Sequence, residues 1–279
     1  MKRPIIALLT DYGNEDFFAA SLKAVVLSLQ PEASIIDLSH SVPSFDIRRG
    51  SFLLAACYKF FPAGTIFVVV VDPGVGSKRR ILLVKTKKYF FVAPDNGVLS
   101  HVLAEEEPEW MIHVVNRRFF FEGAGRTFDG RDRMAPVAAW LSLGCAPEEF
   151  GPRTSKCSTF PIARPKFLKN RIIGQVAYID KFGNCLTNIP SRPIFALLKK
   201  NGKKKLTLSL GRTTTGAFKE SYASGRRGEL LILPGSAGTL EIAAREVSAA
   251  DLSGAGPGSK VMVLVAGRRS ANLRRPGKK

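Results

Sequence analysis

Histidine is scarce in this 279-residue chain: His40, His101 and His113 are the only three. No neighbouring residue makes any of them half of a nucleophile–base pair, which leaves surface or core roles for all three. The four cysteines (Cys57, Cys145, Cys157, Cys185) form no CxxC and no ligand-like spacing, which argues against a metal centre and a disulfide framework. No apolar run reaches the ~18 residues of a membrane span. The opening MKRPIIALLTDYG has no cleavage-site pattern, and its apolar stretch breaks at Asp11; it reads as a first strand in a cytoplasmic protein. Acidic residues are also few, 23 against 42 Lys and Arg, for a net charge of +19. The basic residues cluster at Lys78–Lys88, Lys199–Lys205 and the tail 267–279. No aromatics interleave with these runs and no finger or helix-turn-helix spacing appears, so nucleic-acid contact beyond nonspecific attraction is not expected. Asn201-Gly202 reads as a hairpin turn inside KKNGKKK, and the tail as disordered.

What the chain does have is three apolar runs that each end in an aspartate and a glycine turn: IIALLTDYG, TIFVVVVDPGVG and FFVAPDNG. Val-, Ile- and Phe-rich runs of this length read as buried strands of an α/β sheet. Ligands of such sheets sit beyond the carboxyl ends of the strands, so Asp11, Asp72, Asp95 and Asn96 should share one rim. Carboxylates there suit a ligand with hydroxyls or positive charge, although Asp before Gly is also ordinary turn chemistry.

Strands and helices alternate through the first half. Glu15–Gln30 carries an apolar stripe at helical spacing, and Asp46–Phe60, Val98–Ala104 and Arg131–Leu143 read as further helices, with Pro136 near the start of the last. Residues 1–160 therefore read as an α/β domain with a mostly parallel sheet. A proline-rich linker spans about 150–169, and residues 170–266 hold short strand-like runs, as in a smaller all-β, antiparallel barrel or sandwich.

Asp11 at a strand tip could accept hydrogen bonds from a vicinal diol. Asp16, five residues on, could join it or serve the first turn of a helix. VDPGVGSKRR places Arg79 seven residues after Asp72, and it is neither a P-loop nor a dinucleotide fingerprint. In YIDKFGNCLTNI, Asp180, Phe182 and Asn184 share one turn that could hold a purine by stacking and edge hydrogen bonds, or could be a plain hairpin around Gly183.

Read together, LLTDYGNEDFF, HSVPSFDIRRG, FPAGTIFVVVVDPGVGSKRR, VAPDNGVLS, TFDGRD, YIDKFGNCLTNI and SAGTLEIA resemble, in order, the S-adenosylmethionine (SAM) hydrolase and SAM-dependent halogenase family (SAM hydroxide adenosyltransferases, fluorinases, chlorinases). The resemblance implies hydrolysis of SAM to adenosine and L-methionine, with no cofactor or metal. It also implies a homotrimer whose sites lie between the N-terminal domain of one protomer and the C-terminal domain of the next. Asp11 would hold the ribose hydroxyls and Phe45 would wall the ribose. Asp16 and Asp180 would hold the methionine ammonium, with Ser236 and Ala237 at the amino-acid end. Phe182, Asn184 and the backbone around Ala244 and Glu246 would receive adenine. Asp72 and Arg79 fall on two members of the hydrolase Asp–Arg–His set, and a charged Asp72 would repel the halide that halogenases hold near Val75.

The chain departs from that pattern at one place. TFDGRD puts Asp129 where the family reads histidine, and a carboxylate only accepts where imidazole can relay a proton. A halide adenosyltransferase and a silent SAM- or adenosine-binding protein are the alternatives, and histidine restored at position 129 would be expected to speed turnover.

Overall fold

The computed structural model describes residues 3–121, 125, 127–169, 171–200 and 206–265, and its contacts divide the chain into two units, Met1–Ile162 and Ala163–Lys279. In the first unit the apolar runs become β1 (Ile5–Thr10), β2 (Ser34–Ser39), β3 (Ile66–Val70), β4 (Ile81–Lys85), β5 (Phe90–Pro94) and β6 (Trp110–His113). They form one sheet in the order β2-β1-β3-β5-β4-β6, parallel except that β4 runs against both neighbours. Successive side chains on a strand face opposite ways. Ile6, Leu8, Val68 and Val70 therefore enter one core with α1 (Phe18–Leu29) and α4 (Ala135–Ser142), while Ala7, Leu9, Phe67 and Val69 enter the other with α2 (Ile47–Cys57) and α3 (Ser100–Leu103). Burial on both faces is why these strands read as unbroken apolar runs.

Two helix starts differ from the sequence expectation. α1 begins at Phe18 and not at Glu15, because Gly13 adopts φ +71° and donates its N–H to His40 O at 2.7 Å, turning the chain before the helix can start. Asp16 therefore lies ahead of the helix, outside its first turn. The Arg131–Leu143 helix is in fact a π-helical turn, Gly130–Met134, leading into α4, with Pro136 in the first turn where no helical N–H is needed.

The second unit is an antiparallel sheet. It comprises β7 (Lys166–Leu168), β8 (Arg171–Ile179), β9 (Cys185–Pro190), β10 (Leu206–Leu210), β11 (Thr213–Thr215), β12 (Leu230–Pro234), β13 (Thr239–Ala244) and β14 (Lys260–Val265). The order β11-β10-β14-β8-β9-β13-β12 nearly closes on itself, since Thr215 Oγ1 on β11 donates to Leu230 O on β12 at 2.8 Å. β7, read from the sequence as linker, pairs with β8. The antiparallel, barrel-like β unit expected from the sequence is present, and α5 (Ser191–Lys200) and α6 (Ala249–Ser253) also belong to it. Lys199 and Lys200 end α5 and do not enter a hairpin, while the turn expected at Asn201-Gly202 and the tail 267–279 lie outside the described residues. None of the described helices is long and apolar enough to cross a membrane.

Candidate active site

The parallel register puts the ends of β1 and β3 side by side, Thr10 opposite Val70, so the loops that follow them emerge together. Asp11 and Tyr12 from the first loop, Asp72 and Val75 from the second, Ser44 and Phe45 before α2, and Thr127, Phe128 and Gly130 before α4 line a cavity of about 370 Å³. Asp95 lies at the same rim but is taken elsewhere: Arg80 Nη2 reaches it at 2.5 Å and the Ser158 N–H at 2.6 Å. Asn96 ties the loop ends together, its Nδ2 donating to Val71 O at 2.8 Å. Of the four rim residues expected from the sequence, only Asp11 and Asp72 face the cavity.

Arg79 sits at the centre of the charge arrangement. Its Nε lies 2.9 and 2.8 Å from the two oxygens of Asp72, and its Nη2 donates both to Asp72 and to Asp129 Oδ2. All three side chains are buried, Asp129 to 2% exposure. Burial alone would lower the Arg79 proton affinity, but the hydrogen bonds and charges of Asp72 and Asp129 outweigh it and raise it. Asp129 stands at the N-cap position of the π-helical turn, yet its carboxylate caps no backbone N–H. Helix capping therefore does not account for this residue.

Asp11 has a different environment. Burial pushes its carboxyl up, the Phe45 N–H at 2.9 Å works the other way, and Asp72 adds a small upward push. Tyr12 was not singled out from the sequence. Burial first, then the charges of Asp11, Asp72 and Asp129, drives its phenol far upward, so Tyr12 is a donor and not a base. A Cβ at Gly130 would collide with Tyr12 Oη, so only glycine lets the phenol lie against this turn. The turn Thr10–Gly13 is braced by buried His40, whose Nδ1 is 2.8 Å from Thr10 Oγ1. Asp16 is exposed and outside the lining.

A second cavity, of about 660 Å³, lies in the second unit between Phe182, Asn184, Tyr222, Ala223 and the segment Ala244–Ser248. Phe182, Asn184, Ala244 and Glu246, named from the sequence, are together here, and Tyr222, Val247 and Ser248 are additions. Asp180 holds the turn from beneath: its Oδ1 accepts the Phe182 and Asn184 N–H groups and its Oδ2 accepts Asn184 Nδ2, each at 2.9 Å. That fixes the Asn184 amide with its oxygen left for a donor. Ser236 and Ala237 are on the β12–β13 hairpin tip, outside this lining. Among the described residues, the only non-glycines with positive φ are Phe45 (+68°) and Glu246 (+61°), one in each cavity. Backbone strain of this kind concentrates at ligand sites. No three His, Cys, Asp or Glu side chains gather as metal ligands among the described residues.

Residues 6–151 match the family described as SAM hydroxide adenosyltransferase N-terminal domain, and residues 174–262 its C-terminal domain. A Thermus thermophilus protein named (R)-S-adenosyl-L-methionine hydrolase is 32% identical over 278 residues, covering 94% of this chain and 100% of that protein. A protein from an Actinoplanes species named fluorinase is 28% identical over 213 residues, covering 67% of this chain and 72% of its own. The crystal structure of an uncharacterized conserved protein from Thermotoga maritima superposes with a TM-score of 0.86 at 36% identity, over 93% of this chain and 99% of that one.

Proposed function

This chain belongs to the SAM hydroxide adenosyltransferase family, and we propose that it hydrolyses S-adenosyl-L-methionine to adenosine and L-methionine by attack of water on the ribose C5′. The observation that carries the reading is Asp72, which lines a cavity together with Asp11 and is ion-paired to Arg79, itself paired to Asp129. The water oxygen bonds to C5′, the C5′–S bond breaks, and its electron pair stays on sulfur as a neutral thioether. One proton is released from the water. A thioether leaving group needs no general acid, so the protein must supply an oriented nucleophile and a fixed attack angle.

Asp72 accepts a hydrogen bond from that water and Arg79 stabilises its developing hydroxide character. Asp129 shares the Nη2 group of Arg79 with Asp72. Asp11 accepts from the ribose diol and Phe45 flanks the sugar. The sulfonium is a cation, and the carboxylates of Asp11, Asp72 and Asp129 outnumber the Arg79 and Arg133 guanidiniums beside them, which favours its approach. Phe182 and Asn184 take adenine in the second cavity, and Asp16, Asp180, Ser236 and Ala237 address the amino-acid end. No cofactor takes part. The same reading makes the protein a homotrimer, each site shared between the first unit of one protomer and the second unit of its neighbour. Four free cysteines suit a cytoplasmic home.

Purified protein incubated with SAM should form adenosine and methionine, and adding chloride should not change the products. Val75 and Asp72 line the same cavity, so a halide placed there would face a carboxylate. 5′-Chloro-5′-deoxyadenosine as the main product would replace this reading with halide transfer, and absence of any product would replace it with silent binding.

A further inference from the structure

Arg79 is one cation shared by two buried carboxylates, and that leaves a charge unmatched. Asp72 takes Nε and Nη2, and Asp129 reaches only Nη2, through Oδ2. The other oxygen, Asp129 Oδ1, is buried without an aligned donor. Arg133 is ion-paired with it: its Nε lies 3.1 Å away and is itself buried without an aligned acceptor. The ion-pair distance is met while hydrogen-bond alignment is not, so the contact is Coulombic in this geometry, and a small rotation of either side chain would align it. Arg133 is held in place by the Phe120 ring, 5.3 Å from its guanidinium carbon. An unpaired carboxylate at 2% exposure would be strongly disfavoured.

We propose that Arg133 is a positioning residue of the water-orienting set: it matches the charge of Asp129 through Oδ1 and so fixes Oδ2 on Arg79. The inference rests on the hydrolase reading above. Four residues after the place where the chain departs from the histidine pattern, Arg133 supplies the cation that an added carboxylate there requires. Arg79 from the loop after β3 and Arg133 on its own element are both ion-paired to Asp129, and the Tyr12 phenol from the loop after β1 feels its charge. Of these, Arg133 is the cation that Asp72 does not share.

The test compares kcat and KM of SAM hydrolysis for wild type, Arg133→Met and Arg133→Lys. In Arg133→Met kcat should fall about tenfold with KM little changed, because Asp129 without its second cation no longer fixes Arg79 beside the water. Arg133→Lys should recover most of the wild-type kcat. A kcat for Arg133→Met equal to that of the wild type, whatever the change in melting temperature, overturns the proposal, and so does a loss carried by KM. If Arg133→Met does not fold, Arg133→Gln keeps a donor without the charge and should show the same loss of kcat. A denaturation cycle of Asp129→Asn with Arg133→Gln reads the pairing without catalysis: the losses should be non-additive near neutral pH. If the wild type hydrolyses no SAM, the hydrolase reading fails on its own, and additive losses in this cycle overturn the role of Arg133 while coupled losses support the pairing.

Discussion

Asp72→Asn is expected to lower the rate of SAM hydrolysis by about a hundredfold or more while leaving SAM affinity nearly unchanged. The substitution keeps the shape of the side chain but removes the charge that accepts from the attacking water and that engages both Nε and Nη2 of Arg79. Asp72 addresses water and not the adenosyl group, so kcat should carry the loss. Asp11→Ala should behave the other way. Removing the acceptor for a buried diol is expected to weaken SAM binding by ~1–3 kcal/mol. Affinity should also fall on the acid side sooner than an ordinary aspartate would dictate, because burial raises the Asp11 carboxyl and the protonated form is the poorer acceptor. Titration calorimetry on both variants decides the matter, and equal losses of affinity would contradict this division of roles.

The second large effect concerns position 129. The sequence alone favours Asp129→His as a gain, since imidazole can relay a proton. The structure reverses that expectation. Arg79 and Arg133 both face this side chain, and it is buried. A histidine there would leave Arg133 without its carboxylate and sit between two guanidiniums, with Arg79 keeping only Asp72. Asp129→His is therefore expected to lower turnover by about tenfold or more, a barrier increase of ~1.4 kcal/mol. Arg133→Met added to Asp129→His should recover part of the loss. A rate increase near neutral pH in the single variant would show that position 129 tolerates imidazole as it stands. Asp129→Asn separates a structural from a chemical role: an asparagine would cap a helix equally well, but this carboxylate caps nothing, so rate should fall more than stability.

Much of the scaffold was legible because burial on both faces writes itself as long apolar runs, and the turn after each run marks where a strand ends. That logic placed Asp11 and Asp72 at one rim. It could not separate them from Asp95, because the difference lies in two adjacent arginines on opposite sides of the chain, Arg79 turning to Asp72 and Arg80 to Asp95. Tyr12 was hidden as a turn residue between Asp11 and Gly13. Its role depends on Gly130, far along the chain, coming within contact. Arg133 was hidden by the π-helical turn, whose winding has no sequence signature and sets the distance to Asp129. α5 was missed for another reason: the basic run that follows SRPIFALL masks its i, i+3, i+4 apolar spacing at Ile194, Leu197 and Leu198.

Catalysis here depends on water at the Asp72–Arg79 set attacking the ribose carbon. Hydrolysis of SAM in ¹⁸O-labelled water, with the products analysed by mass spectrometry, reads that bond directly. The label should appear in the 5′-hydroxyl of adenosine and not in methionine, with the Asp72→Asn variant forming the same labelled product far more slowly. Label in any methionine-derived product, or adenosine formed without label, would contradict attack at C5′ by water.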